Sequence, residues 1–178
     1  VAEVLARTDG GDIVEYGAGD GALAAGLLQA LAERDLLPRR YRIVEISAPL
    51  RASQRARIEE LSGLADRVEW LDGPPAADWQ GVALANEVLD AMPVDRFRLR
   101  DGGCEAIGVV AAGEGFGWHS RPADASLANA VACFKLELPD GYLSEWRPML
   151  PAWIDAVTAT MRQGALLLID YGLPRSQY

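Results

Sequence analysis

A short apolar run ends at Glu15-Tyr16 and breaks into three alternate glycines, Gly17, Gly19 and Gly21. Few arrangements satisfy that pattern. Ile13 and Val14 belong to a buried strand. The glycines form a tight turn because, lacking Cβ, they accept positive φ and let a ligand lie against the backbone. The residues that follow start a helix whose free N–H groups face the turn. The reading is therefore strand, binding turn and helix, the opening unit of an α/β fold.

The rest of the chain repeats the alternation. After the first strand at 12–16, residues 22–34 carry Leu23, Leu27 and Leu31 at helical spacing, and Pro38 stops them. Residues 41–46 form a second strand. Ser47 and Pro49 then suit the cap and first turn of a helix running to about Leu61. Residues 67–71 alternate as a third strand, and residues 81–85 are a continuously apolar fourth. Such order predicts a doubly wound, mostly parallel sheet of Rossmann-like class, with its ligand crevice at the carboxyl ends of the strands. The pattern then changes. Residues 96–100, 106–111 and 116–119, separated by Asp101-Gly102-Gly103 and Gly113-Glu114-Gly115, read as an antiparallel meander. We place residues 94–147 as an insertion on the substrate side of a single domain. From Pro148, a helical stripe through Leu150, Trp153, Ile154, Val157 and Met161 closes at Gly164 and leads into a fifth buried strand at 165–170. A sheet ending there leaves a long apolar edge, so further strands are expected after Tyr178. The first residue, Val1, is not an initiator methionine, so sequence before it is expected as well.

Charge and composition narrow the function. A net charge of −9 disfavours binding to phosphate backbones, which relies on Lys and Arg displacing counterions, so nucleic acid is not expected as a partner. No apolar run reaches the roughly 18 residues of a membrane span. The two cysteines, Cys104 and Cys133, have neither metal-ligand nor disulfide-framework spacing, and the first residues lack a leader pattern. A reducing cytoplasmic location follows, or a mitochondrial one if the source is eukaryotic. With His119 as the one histidine, a catalytic triad or multi-histidine metal site is excluded, and no metal is expected.

Gly17-Ala18-Gly19-Asp20-Gly21-Ala22 also fits the Gly-x-Gly-x-x-Ala fingerprint of dinucleotide sites. A helix N-terminus facing pyrophosphate disfavours an acid beside it, yet Glu15 precedes the first glycine. S-adenosylmethionine carries an amino group and a sulfonium and no phosphate, so Glu15, and more weakly Asp20, favour it over a nicotinamide cofactor. Glu45 at the end of the second strand suits ribose hydroxyls. Asp72 ends the third strand in reach of an adenine amino group, with Gly73 leaving room for the base. The fourth strand opens into Asn86-Glu87-Val88-Leu89-Asp90, whose polar groups orient an amine or guanidinium; methyl transfer needs such alignment more than a strong base. Trp118 and Trp146 sit in the insertion, and Trp153 reads as core.

Glu15-Tyr16-Gly17-Ala18-Gly19-Asp20-Gly21, Val44-Glu45-Ile46-Ser47, residues 85–94 and Leu168-Ile169-Asp170-Tyr171-Gly172 resemble the MidA family of class I S-adenosylmethionine-dependent methyltransferases. The Asn-Glu-x-x-Asp-Ala-x-Pro block and the Ile-Asp-Tyr-Gly segment are the specific parts. The resemblance implies a protein-arginine methyltransferase akin to a mitochondrial complex I assembly factor, with a respiratory-complex subunit as substrate. It assigns Gly17, Gly19, Gly21 and Glu45 to the cofactor and Asn86 and Glu87 to the reacting centre. Asp90 joins them as a candidate catalytic residue, and Asn86 also borders the cofactor. The alternatives are a nicotinamide-dependent oxidoreductase and a catalytically idle assembly protein that kept the fold. Family members extend well before the glycine turn and after Ile-Asp-Tyr-Gly.

Overall fold

The computed structural model describes residues 1–76, 78–134 and 137–172. Residues 135 and 136 of the expected insertion lie outside them. The described residues divide into two compact units, Val1–Ala91 with Ala152–Tyr171, and Met92–Pro151 with Gly172.

The first unit opens with α1 (Ala2–Arg7), then β1 (Asp12–Tyr16), α2 (Ala22–Ala32), β2 (Tyr41–Val44), α3 (Ala48–Glu59), β3 (Val68–Leu71) and β4 (Trp79–Asn86). All five strands of its sheet are parallel, in the order β3-β2-β1-β4 with the last strand of the chain outermost beside β4. Every residue of β1 is buried, as a central strand covered on both faces requires. Leu5, Ile13, Leu28, Tyr41, Ile43 and Ile58 form the core on the face of α1, α2 and α3. Val14, Tyr16, Ala83, Ala85 and Val157 form the core on the opposite face. Strand order reverses between β1 and β4, the place where parallel α/β sheets open a crevice at their carboxyl ends.

The second unit holds β5 (Asp95–Arg100), β6 (Gly103–Ala112), β7 (Gly115–Pro122), α4 (Ala125–Ala132) and β8 (Leu143–Trp146). Its sheet is antiparallel in the order β7-β6-β5-β8. Phe97, Leu127 and Val131 centre its core. The meander is present with longer strands than the sequence suggested. Asp124 caps α4 by accepting the Leu127 N–H at 2.9 Å, a short alanine-rich helix that periodicity does not reveal. His119 lies within β7, opposite Gly108, and not at a strand end.

The final helix and strand differ from expectation. α5 covers Leu150–Thr158, and β9 begins at Met161 and runs to Ile169, so Met161 and Gly164 are strand residues. The apolar stripe continues through the boundary because Met161 pairs with Trp79 and Gly164 with Gly81 across the sheet. Pairing with β4 overrides the local helical spacing. Among the described residues β9 is the outermost strand, with Leu167 and Ile169 substantially exposed, the apolar edge that the sequence led us to expect. Trp153 is core as expected, its ring edge-on to Tyr16 at 5.5 Å. Ser47 occupies the N-cap of α3 without a side-chain bond; its N–H donates to Glu45 instead.

Candidate active site

β1 delivers the glycine turn to the carboxyl edge of the sheet. Gly17, Gly19 and Gly21 all take positive φ, at 66°, 54° and 84°. The Gly21 N–H closes the turn on Ala18 O at 2.8 Å. A Cβ on Gly19 would meet no protein atom within 4 Å, so this glycine leaves open space above the backbone. Asp20 is occupied: one oxygen accepts the Ala22 N–H, and the other pairs with Arg57 at 2.6 Å. Its role in the turn is therefore structural, and the weak argument that drew on its charge falls away.

Glu15 lies beneath the turn with its side chain in the sheet layer, 1 % exposed, and accepts the Tyr41 hydroxyl at 2.7 Å. Burial raises its pKa from 4.5 to about 7, against the opposing Tyr41 hydrogen bond. A carboxyl shifted in this way carries less than a full charge near neutral pH, which weakens the argument that drew on its repulsion of a pyrophosphate.

Glu45 ends just beyond β2 and is 8 % exposed. Its Oε1 accepts the Ser47 N–H at 2.8 Å and its Oε2 accepts Gln54 Nε2 at 3.3 Å. Asp72 is almost fully solvent-exposed and bound by Arg51 at 2.7 Å; the same guanidinium donates to Leu71 O and to Glu45 O. Gly73 has open space where a Cβ would point.

Beside the glycine turn on the other side stand the carboxyl ends of β4 and β9. The Glu87 N–H donates to Ile169 O at 2.8 Å, and Glu87 itself takes a left-handed φ of 52°, uncommon for a residue with a side chain. Asp170 Oδ2 accepts the N–H groups of Leu89 and Asp90 at 2.8 and 3.2 Å, and Tyr171 donates its hydroxyl to Glu87 at 3.1 Å. That hydrogen bond and the Glu87 charge push the Tyr171 phenol up. No helix starts at Asp90. This segment also touches the glycine turn: a Cβ on Gly17 would stand 3.0 Å from Val88 Cγ2. So the first glycine serves close packing as well as conformation.

The structure adds residues that the sequence reading passed over. Gln54, Arg51, Trp70 and Tyr41 all engage the site from α3, β3 and β2. One signal existed. Gln54 stands at the buried stripe position preceding Ile58 and Leu61, where an apolar residue is the norm. Asp170 and Tyr171 were visible as a motif, and their partners were not.

The Asp170 contacts set an expected outcome. Asp170→Ala removes the acceptor of two backbone donors, so the stability of the 87–90 turn should fall by about 1–2 kcal/mol, as for loss of a helix cap. Amide exchange at Leu89 and Asp90 should accelerate. Unchanged protection at both amides would contradict the role.

Comparisons with known proteins bear on this geometry. A family model described as "Putative S-adenosyl-L-methionine-dependent methyltransferase" matches residues 1–178. The chain belongs to that family. No curated protein matches. Two solved structures from Burkholderia thailandensis, of one superfamily, are each 39% identical over 100% of this chain with TM-scores of 0.87. One is an uncharacterized protein and the other was solved bound to S-adenosyl-homocysteine. The chain covers 48% and 46% of them, so it spans about half their length. The family agrees with the methyl-donor reading of the glycine turn and gives no support to the nicotinamide one. Among the described residues, no helix is long and apolar enough to cross a membrane.

Proposed function

We propose that this chain binds S-adenosylmethionine on the glycine turn, in a class I methyltransferase site of MidA type, and methylates an arginine of a protein substrate. The carrying observation is the packing of Val88 on Gly17, which sets the Asn86–Asp90 segment directly against the turn. The residues present fit the cofactor. Gly19 leaves room for a ligand at the backbone, and Glu45 is a buried carboxylate with acceptor sites to spare. When bound, the cofactor supplies an electrophilic methyl group on a sulfonium. The remaining work falls to side chains. Glu45 accepts ribose hydroxyls, and Asp72 and Gly73 border the base. Asn86 and Glu87 orient the guanidinium, with Tyr171 holding the Glu87 carboxylate in place. Glu87 and Asp90 supply negative charge that binds the cation and receives the proton lost on methylation. A respiratory-complex subunit, in the bacterial cytoplasm or the mitochondrion, is the substrate that the MidA resemblance suggests.

Calorimetric titration with S-adenosylhomocysteine should give saturable binding that Glu45→Ala weakens roughly tenfold to hundredfold, the loss of charge-assisted hydrogen bonds. Radiolabelled methyl transfer to proteins of a cognate extract, followed by mapping of the modified residue, tests the acceptor. Label on lysine or on a small molecule would overturn the arginine assignment. Binding without any transfer would favour the idle assembly protein.

A further inference from the structure

Gln54 is a polar side chain with 0 % exposure, and it spends every hydrogen-bonding group on the site. Its Nε2 donates to Gly19 O at 2.9 Å and to Glu45 Oε2 at 3.3 Å, and its Oε1 accepts the Trp70 indole N–H at 2.9 Å. One amide therefore ties the middle glycine of the turn, the acid after β2 and the aromatic ring of β3. Its neighbours one turn away on α3 do related work. Arg51 holds Glu45 O, Leu71 O and Asp72, and Arg57 holds Asp20 through its backbone and its carboxylate. Gly21 belongs to the same arrangement, since a Cβ there would lie 3.2 Å from Gln54 Cα. The third glycine lets α3 seat Gln54 against the turn.

A carboxylate offers about four acceptor sites. In Glu45 the Ser47 N–H takes one on Oε1, and Gln54 takes one on Oε2. One site stays free on each oxygen, the pattern that two adjacent hydroxyl donors require. We infer that Gln54 is a positioning residue for a vicinal diol: it ties Glu45 to the glycine turn and presents one free acceptor site on each carboxylate oxygen. Trp70 sets the sense of the amide. Were the amide reversed, its oxygen would face both Gly19 O and the Glu45 carboxylate and repel them. The inference rests on the cofactor reading proposed above and adds the element that selects a ribose.

The test compares S-adenosylhomocysteine with its 2′,3′-dideoxy analogue by calorimetry on the wild-type protein, Gln54→Met and Trp70→Phe. Gln54→Met should weaken S-adenosylhomocysteine about tenfold more than it weakens the dideoxy analogue, the loss of one oriented charge-assisted bond to the diol-binding acid on top of any effect that the lost Gly19 contact has on both ligands. Trp70→Phe removes the N–H donor that orients the amide, together with part of the ring under Arg55, and leaves Gln54 in place, so it keeps the test alive if Gln54→Met fails to fold. It should give the same selective loss at smaller size. Equal weakening of both ligands, or no weakening of S-adenosylhomocysteine, would overturn the positioning role while leaving the cofactor reading intact. A wild-type protein that gives no heat with either ligand overturns both.

Discussion

Gly81→Ala should unfold the parallel sheet or destabilise it by at least about 4 kcal/mol, a large share of the roughly 5–15 kcal/mol that holds a domain together. Gly81 sits in β4 with φ 139°, and a Cβ there would stand 1.9 Å from Asp12 O and 2.7 Å from Asp12 N. Those are backbone atoms of the strand alongside, in register with it. No rotamer relieves the clash, so β1 and β4 would have to separate. The next strand repeats the constraint, because a Cβ on Gly164 would stand 2.0 Å from Gly81 O. β1 and β4 carry the glycine turn and the Asn86–Asp90 segment, so their separation dismantles the site together with the fold. Urea unfolding with Gly108→Ala as control measures it. Gly108 lies in β6 with no atom within 4 Å of its would-be Cβ, and its variant should match the wild type. A Gly81→Ala midpoint equal to that control would refute the argument.

Gly81 also illustrates which parts of the structure can be read from sequence. The fourth strand was recognised from its continuous apolar run, and Gly81 looked like its first residue. The strand begins at Trp79, and the glycine is an interior position where two backbones approach. Local patterns report which face a residue presents, and β1 was found to the residue for that reason. They do not report what stands across the sheet. The same limit explains Met161 and Gly164, whose helical spacing yielded to pairing with β4, and β8, whose four residues carry no signal apart from their partner β5. The glycines, Glu45 and Asn86-Glu87 stood out as candidates because their residue types are chemically restrictive, and the structure places them at the carboxyl ends of β1, β2 and β4. The partners of Gln54 and Asp170 were not legible, since Gly19 and Asp90 lie 35 and 80 residues away from them in the chain. Glu15 was legible as a residue, and its burial was not. Alternation placed it in the strand, but only the structure shows its carboxyl closed over by the layer that contains Tyr41.

That burial gives the second large effect. The folded pKa of Glu15 is about 7 against 4.5 ordinarily, with desolvation as the cause. Between those values the folded protein retains a proton that the unfolded chain has released. Stability therefore falls as pH rises through this window. The contribution is fully present below pH 4.5 and lost once pH passes about 7. At about 1.4 kcal/mol per pH unit, the wild type should lose about 3 kcal/mol from this group alone, or on the order of 10 °C in melting temperature. Glu15→Gln keeps the side-chain shape and an acceptor for the Tyr41 hydroxyl but cannot ionise. Its absolute stability will also reflect the added amide donor, so the comparison that counts is slope. The difference in melting temperature between Glu15→Gln and wild type should widen in favour of the variant from pH 5 to pH 8. Parallel curves over that range would mean that Glu15 is already ionised in the folded protein at pH 5. The carboxylate beneath the glycine turn would then be a fixed negative charge, and the repulsion that favoured a phosphate-free, cationic ligand would regain its force.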